Sequence, residues 1–203
     1  TMANSPFVLV VTPKINVRNT AELIALMKAQ PGKLNFGSSG IGTSNHLAGE
    51  LFMMMSGTKM THVPFKSTGD VVNTMLSGNI DLAFDSMTTV WPHAEKGTVR
   101  AIAVSTPTRS SSAPDVPAIA ETIKGFEATA WQGLFAPAGT PRPIVDAIAA
   151  ETKRIWNLPE VVASLKKVGA DSAITTPDEF TAFARAERVK WAEVVKAAGV
   201  KID

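Results

Sequence analysis

The 203-residue sequence contains no cysteine, which excludes structural disulfides, thiolate metal sites and a cysteine nucleophile. It has no run of Lys or Arg. Its 20 basic and 18 acidic side chains are interspersed for a net charge of +2, so nucleic acid and an anionic membrane surface are not the expected partners. No apolar run reaches the roughly 20 residues of a membrane-spanning helix, so direct membrane insertion is not expected. A basic segment leading into an apolar one, the pattern of a secretory signal, is also missing from these residues. Thr1-Met2-Ala3-Asn4-Ser5-Pro6 runs almost at once into the apolar Phe7–Val11, which reads as the middle of a protein. What is present, 45% hydrophobic and 19% charged residues, suits a folded domain with a sizeable core.

Periodicity alternates along the chain. Phe7–Val11 is a buried strand, closed by Pro13. Asn19 or Thr20 caps a helix with Leu23, Ile24 and Met27 inward, which stops before Pro31-Gly32. Leu34–Phe36 is a strand and leads through Gly37-Ser38-Ser39-Gly40-Ile41-Gly42-Thr43-Ser44 into a helix from about Asn45, with Leu47, Leu51, Met54 and Met55 as its stripe. Strands at Met60–Val63, Ile80–Phe84 and Val99–Val104 alternate with helices at Thr68–Leu76 (Val71, Val72 and Met75 inward) and Thr88–Glu95. Such alternation implies βαβ units, a mainly parallel sheet and an α/β fold. Ser105–Asp115 is rich in Ser and Pro and reads as a surface excursion, before a strand at Trp131–Ala136. The remainder is helical: about 143–156 with Ile144, Ile148 and Ile155 on one face, then 159 to Gly169, then a long helix. That last helix opens on the capping box Thr176-Pro177-Asp178-Glu179 and ends at Gly199.

The loop at 37–44 is the feature with chemistry in it. Glycines between a strand and a helix free backbone N–H groups to converge near the positive end of the helix dipole, and the hydroxyls of Ser38, Ser39, Thr43 and Ser44 add donors. An anionic group is the natural occupant; the plainer alternative is a Gly-rich turn with Ser44 or Asn45 as helix cap. The known loop motifs fail. Thr43 stands where a P-loop needs Lys, and Asn45 where a dinucleotide fingerprint needs its last glycine. Ile41 and His46 occupy the places where a Gly-x-Ser-x-Gly elbow around Ser39 or Ser44 would end. His46, His62 and His93 lie in separate elements without metal-type spacing, so structural roles are expected of them, and only His46 is near the loop. Asp85 closes a strand. It can accept from a ligand amine or hydroxyl across the same crevice, or cap the following helix. Phe65 and Lys66 follow another strand end and can supply a wall and a cation; for Lys66 the plain alternative is a solvated charge. Met53-Met54-Met55 reads as helix core. No acid/base pair, nucleophile, metal cluster or cofactor motif emerges, so binding and not catalysis is expected.

Several segments resemble the Bug family of tripartite tricarboxylate transporter receptors. They are Ser5–Val11, Pro31-Gly32-Lys33-Leu34-Asn35-Phe36-Gly37-Ser38-Ser39-Gly40 with His46-Leu47-Ala48-Gly49-Glu50, Val63-Pro64-Phe65-Lys66, Gly78–Asp85, Arg100–Val104 and Trp131–Pro141. The resemblance implies a periplasmic-binding-protein-like (type II, Venus-flytrap) receptor that closes on a small organic carboxylate and passes it to membrane permease subunits. It makes 1–11 a crossing strand and remnant of lobe 1, 12–128 lobe 2, and 129–203 the return strand and C-terminal helices of lobe 1. Ligand contacts are then expected from Ser38, Ser39, Gly40, Gly42, Thr43, Ser44, Phe65, Lys66 and Asp85. The family's N-terminal section, with its own carboxylate loop, is not in this sequence, and Phe65 stands where the family commonly has Tyr. The rival from another class is the effector-sensing domain of a transcription regulator, which lacks support from any helix-turn-helix segment here.

Overall fold

A computed structural model describes residues 1–167 and 170–200. Strand β1 (Ala3–Val11) organises the molecule. From Phe7 to Val11 every residue is buried, with Phe7, Leu9 and Val11 in one core and Val8 and Val10 in the other. That two-sided burial is why the segment is apolar throughout and does not alternate. Around it come α1 (Thr20–Ala29), β2 (Asn35–Ser38), α2 (Ser44–Ser56), β3 (Thr61–Pro64) and α3 (Thr68–Leu76). They are followed by β4 (Leu82–Ser86), α4 (Met87–Glu95) and β5 (Arg100–Val104). The main sheet has the order β3-β2-β4-β1-β5. β2 pairs parallel with both β3 and β4, while β1 lies antiparallel between β4 and β5. Four strands therefore share a direction and β1 alone opposes them, with helices on both faces, as the expected α/β class requires.

The other end of β1 belongs to a second sheet. Residues Ala3–Pro6 pair with β6 (Thr129–Gln132), and Ala3 and Asn4 also pair with β7 (Asp171–Ser172), a short strand not foreseen from the sequence. Helices α5 (Arg142–Trp156), α6 (Pro159–Lys167) and α7 (Pro177–Ala198) complete the chain. The predicted end of α6 at Gly169 lies outside the described residues. The capping box is present as expected: Thr176 Oγ1 accepts the Glu179 N–H, and the Glu179 carboxylate accepts the Thr176 N–H at 2.8 Å. Gly199 closes α7 in the left-handed region at φ 63°. Near that end, Val194 joins the core that holds Leu23, Phe36 and Phe52.

Three expectations are corrected. The strand read at 131–136 ends at Gln132, which pairs with Ala3 at the start of β1. Leu134 and Phe135 lie past it, 57% and 72% exposed. On α2 Leu51 is buried and Leu47 packs on the core as expected, but the buried face also takes in Asn45, His46, Ala48, Gly49 and Phe52, which turns Met54 and Met55 outward. The segment after β5 is less superficial than its Ser/Pro content suggested. Ser105, Ser110 and Ala113 are buried, and the Ser105 hydroxyl accepts the Phe7 N–H at 2.8 Å and donates to the Ala128 carbonyl. Ile144 and Ile148, on the apolar face of α5, are half exposed.

Ile148 borders an open apolar groove of about 1040 Å³ between α5, α7 and the residues after β6, with Trp131, Phe135, Phe180 and Trp191 on its walls. In its lining sits the buried Glu187, whose carboxylate accepts both indole N–H groups, from Trp131 at 3.1 Å and Trp191 at 2.8 Å, and pairs with Lys190.

Candidate functional site

β2 and β4 are hydrogen-bonded neighbours running in the same direction, and each leads into a helix at the carboxyl edge of the sheet. β2 reaches α2 through the glycine loop, and β4 passes directly into α4. Ligands of open α/β sheets bind outside such an edge. In the loop, Gly40 and Gly42 take positive φ values of 133° and 77°, whereas no other residue type does so among the described residues. Those two turns need glycine.

Most of the loop's polar groups are spent on holding its shape. Ser38 is fully buried; its Oγ accepts the Gly40 N–H and donates to the Gly40 carbonyl at 3.0 Å. Ser39 and Thr43 both donate their hydroxyls to Asn45 Oδ1, at 3.2 and 2.6 Å. Asn45 Oδ1 also receives the N–H groups of Ser39 and His46. Three of the four hydroxyls expected to reach a ligand therefore bond within the loop in this structure. Ser44 is the exception: it is exposed, and its hydroxyl has no partner among the described residues. The N-cap of α2 is Thr43, whose side chain caps no first-turn amide, and of the two caps the plainer alternative offered it is Asn45 that takes one, the His46 N–H.

The neighbouring helix start is alike. Ser86 is the N-cap of α4 and makes no side-chain cap bond; its hydroxyl bonds Thr88 and Thr89 instead. Asp85, inside β4, is 1% exposed. Its Oδ1 accepts the Ser86 N–H at 2.7 Å, and its Oδ2 has no hydrogen-bond partner. Asp85 thus bonds the N-cap amide and does not cap the first turn. Burial raises its pKa to about 6, with the Ser86 hydrogen bond opposing the shift. Elsewhere Asn19, Ser67 and Thr176 do cap α1, α3 and α7 through their side chains, and α5 follows Pro141, which has no side-chain acceptor to offer.

Phe65 lies against the loop: its N–H donates to the Ser38 carbonyl at 2.8 Å, and its half-buried ring packs on the Val8–Val104 core. Lys66 is exposed and has no ion-pair partner among the described residues. Sequence reasoning missed Asn45 as the hub of the loop and missed the meeting of His46 with His62. Their rings stack at 3.7 Å between centroids and 16° between planes. The usable signal was register: β3 pairs beside β2 with His62 opposite Phe36, so His62 reaches the place where α2 starts.

Comparison with known proteins places this geometry. The sequence matches the family described as tripartite tricarboxylate transporter family receptor over residues 1–200. It is 33% identical to Protein BugT of Bordetella pertussis over 198 residues, covering 97% of this chain and 61% of that protein. Among solved structures, it superposes on R. palustris Rpa4515 with adipate at a TM-score of 0.84 and 30% identity, covering 98% of this chain and 67% of the other. It also superposes on MatC of Rhodopseudomonas palustris with bound malate, at 0.76 and 26%, covering 95% and 67%. The chain spans about three fifths of the length of the curated relatives it matches. Among the described residues no helix is long and apolar enough to cross a membrane. By sequence over nearly its whole length and by fold, the chain belongs to the tripartite tricarboxylate transporter receptor family.

Proposed function

We propose that this chain is the ligand-binding part of a periplasmic receptor that captures a small organic carboxylate and delivers it to the permease subunits of its transporter, with no catalytic step. The observation that carries the reading is the pair of uncapped helix N-termini, α2 and α4, standing side by side after adjacent parallel strands. Apart from the His46 N–H, which Asn45 Oδ1 accepts, both leave first-turn amides without a side-chain acceptor among the described residues, where a carboxylate can take them. The two solved relatives carrying adipate and malate support the same ligand class. The regulator alternative draws no support from the family match. Ser44, Gly40 and Gly42 contribute from the loop, Phe65 from the wall and Asp85 from the floor; Ser38, Ser39 and Thr43 hold the loop's form.

Magnitudes argue for a second jaw. Each helix terminus contributes about 0.3–1 kcal/mol to an anion, up to about 2 when partly buried. Two of them together reach only the range of about 4 kcal/mol that corresponds to millimolar binding. We assign Phe7–Val11 with 12–128 to one lobe and 1–6 with 129–203 to part of the other; the support for a boundary there, and not at 11/12, is the switch of β1 between two sheets at Pro6–Phe7.

The test is a thermal-shift titration of this chain with adipate, malate and a neutral diol control. A saturable rise with the carboxylates, half-maximal in the millimolar range, is expected. No rise with either acid at concentrations well above that range overturns the placement of the site on this lobe. In the same assay Gly42→Val is expected to remove the carboxylate response, since a β-branched residue at φ 77° forces the loop out of shape at a cost of about 1–2 kcal/mol. A full response in that variant would move the ligand away from the loop.

A further inference from the structure

We propose that His46 is a positioning residue for the glycine loop: its unprotonated Nδ1 accepts the Gly42 N–H and so sets the direction in which the loop presents its remaining amides. What those amides bind rests on the receptor reading above; the brace itself does not.

The hydrogen-bond pattern assigns the state of both rings. The Gly42 N–H points at His46 Nδ1 at 3.0 Å, so that nitrogen carries a lone pair and the hydrogen of a neutral ring sits on Nε2. Nε2 faces the Glu50 carboxylate at 3.3 Å one turn further along α2, an acceptor that suits that tautomer. The second ring supports the other end of the loop. His62 Nε2 lies 2.6 Å from Ser38 Oγ, and the Ser38 hydroxyl hydrogen is already directed to the Gly40 carbonyl. His62 is therefore the donor in that bond. Burial and the neighbouring His46 hold the His62 pKa down to about 4, consistent with a neutral ring.

Phe36 completes a short stack. Its ring lies 4.9 Å from that of His62 and 6.1 Å from that of His46. The two histidines come from α2 and β3, pack face to face, and grip Gly42 on one side and Ser38 on the other. A residue wanted only for packing would not need its Nδ1 lone pair aimed at a loop amide. Here that lone pair is the sole side-chain partner of the Gly42 N–H among the described residues.

Two substitutions separate the roles. In His46→Asn the side-chain oxygen falls near the former Nδ1 and can still accept from Gly42, whereas in His46→Gln it reaches toward the former Nε2 and Glu50. Amide exchange of Gly42, measured by NMR on the ligand-free protein, is expected to stay slow in His46→Asn and to rise about fivefold in His46→Gln, the loss of one ordinary hydrogen bond. Adipate affinity is expected to follow the same order. Equal exchange in the two variants would overturn the proposal. Wild-type protein supplies a second measurement should either variant fold poorly. A through-hydrogen-bond nitrogen–nitrogen coupling between the Gly42 amide and His46 Nδ1 is expected, and a His46 protonated on Nδ1 at neutral pH overturns the proposal. If exchange separates the variants while adipate binds to none of the proteins, the brace stands and the receptor reading falls.

Discussion

Asp85→Asn is expected to raise the melting temperature at pH 7.5 by roughly 4–8 °C, a gain of about 2 kcal/mol for a chain of this size. Burial lifts the Asp85 pKa from 3.8 to about 6. A carboxyl whose folded pKa is raised holds its proton more tightly when folded. Its contribution is thus complete below pH 4 and is lost as pH rises through 6. The shift corresponds to about 3 kcal/mol, of which a buried amide hydrogen without a partner returns about 1. His62 has the opposite sign. Its folded pKa is depressed to about 4, so its contribution is present above pH 6.5 and disappears as pH falls through 4. In the wild type the two trends oppose each other between pH 4 and 6.5, and the melting profile should be shallow there. In Asp85→Asn the His62 decline stands alone, and melting temperatures should fall steadily toward pH 4. A variant no more stable than wild type at pH 7.5 would mean that Oδ2 is not an uncompensated acceptor in the free protein. The same substitution is expected to weaken malate, which carries a hydroxyl donor, more than adipate, which carries none; equal losses would remove Asp85 from the ligand contacts.

The second large effect is Gly49→Ala on α2. Alanine improves helix propensity by about 1 kcal/mol over glycine, and at an exposed position it would stabilise. Here its methyl group would meet the edge of the Phe36 ring, 2.8 Å from Cζ, and Phe36 is fully buried and packed against His46 and His62. The ring has nowhere to go. Overpacking of this kind costs about 1–3 kcal/mol, and with the propensity gain subtracted we expect a net loss of about 1 kcal/mol, read as a lower midpoint in urea with an unchanged slope. The check is a double-mutant cycle with Phe36→Leu. The shorter side chain should cost clearly less in the Gly49→Ala background than alone, with a coupling of about 1 kcal/mol or more. Simple additivity would show that the helix shifts to accept the methyl group.

Signals that live on one element were readable from the chain. The Thr176–Glu179 box, the Asn19 cap and the Val71, Val72, Met75 stripe each depend on residues within one or two helical turns, and all are found in the structure. What was misread depends on partners distant in sequence. β6 ends at Gln132 opposite the start of β1, and the inward face of α2 is set by Phe36 beneath Gly49, neither of which local periodicity contains. The site was legible as a loop and a strand end, Gly40, Gly42 and Asp85, because glycine conformation and strand polarity are local rules. The hydroxyls were ambiguous, since the same Ser and Thr that can contact an anion can also fold a loop upon itself, as they do here around Asn45. His62 was invisible beside His46 until the β2–β3 register brought them together.

The sharing of β1 between two sheets also governs how the chain assembles. All four strands that pair with β1, from Leu82 to Ser172, come later in the sequence, so its ladders close only after large loops have been drawn in. Such long-range pairing makes folding slow. It also leaves neither sheet complete without the other, because Pro6 and Phe7 are consecutive residues that serve different ladders. The main sheet and the small one therefore melt as a single cooperative unit, and a strand that holds both together also keeps both waiting for the last partner to arrive.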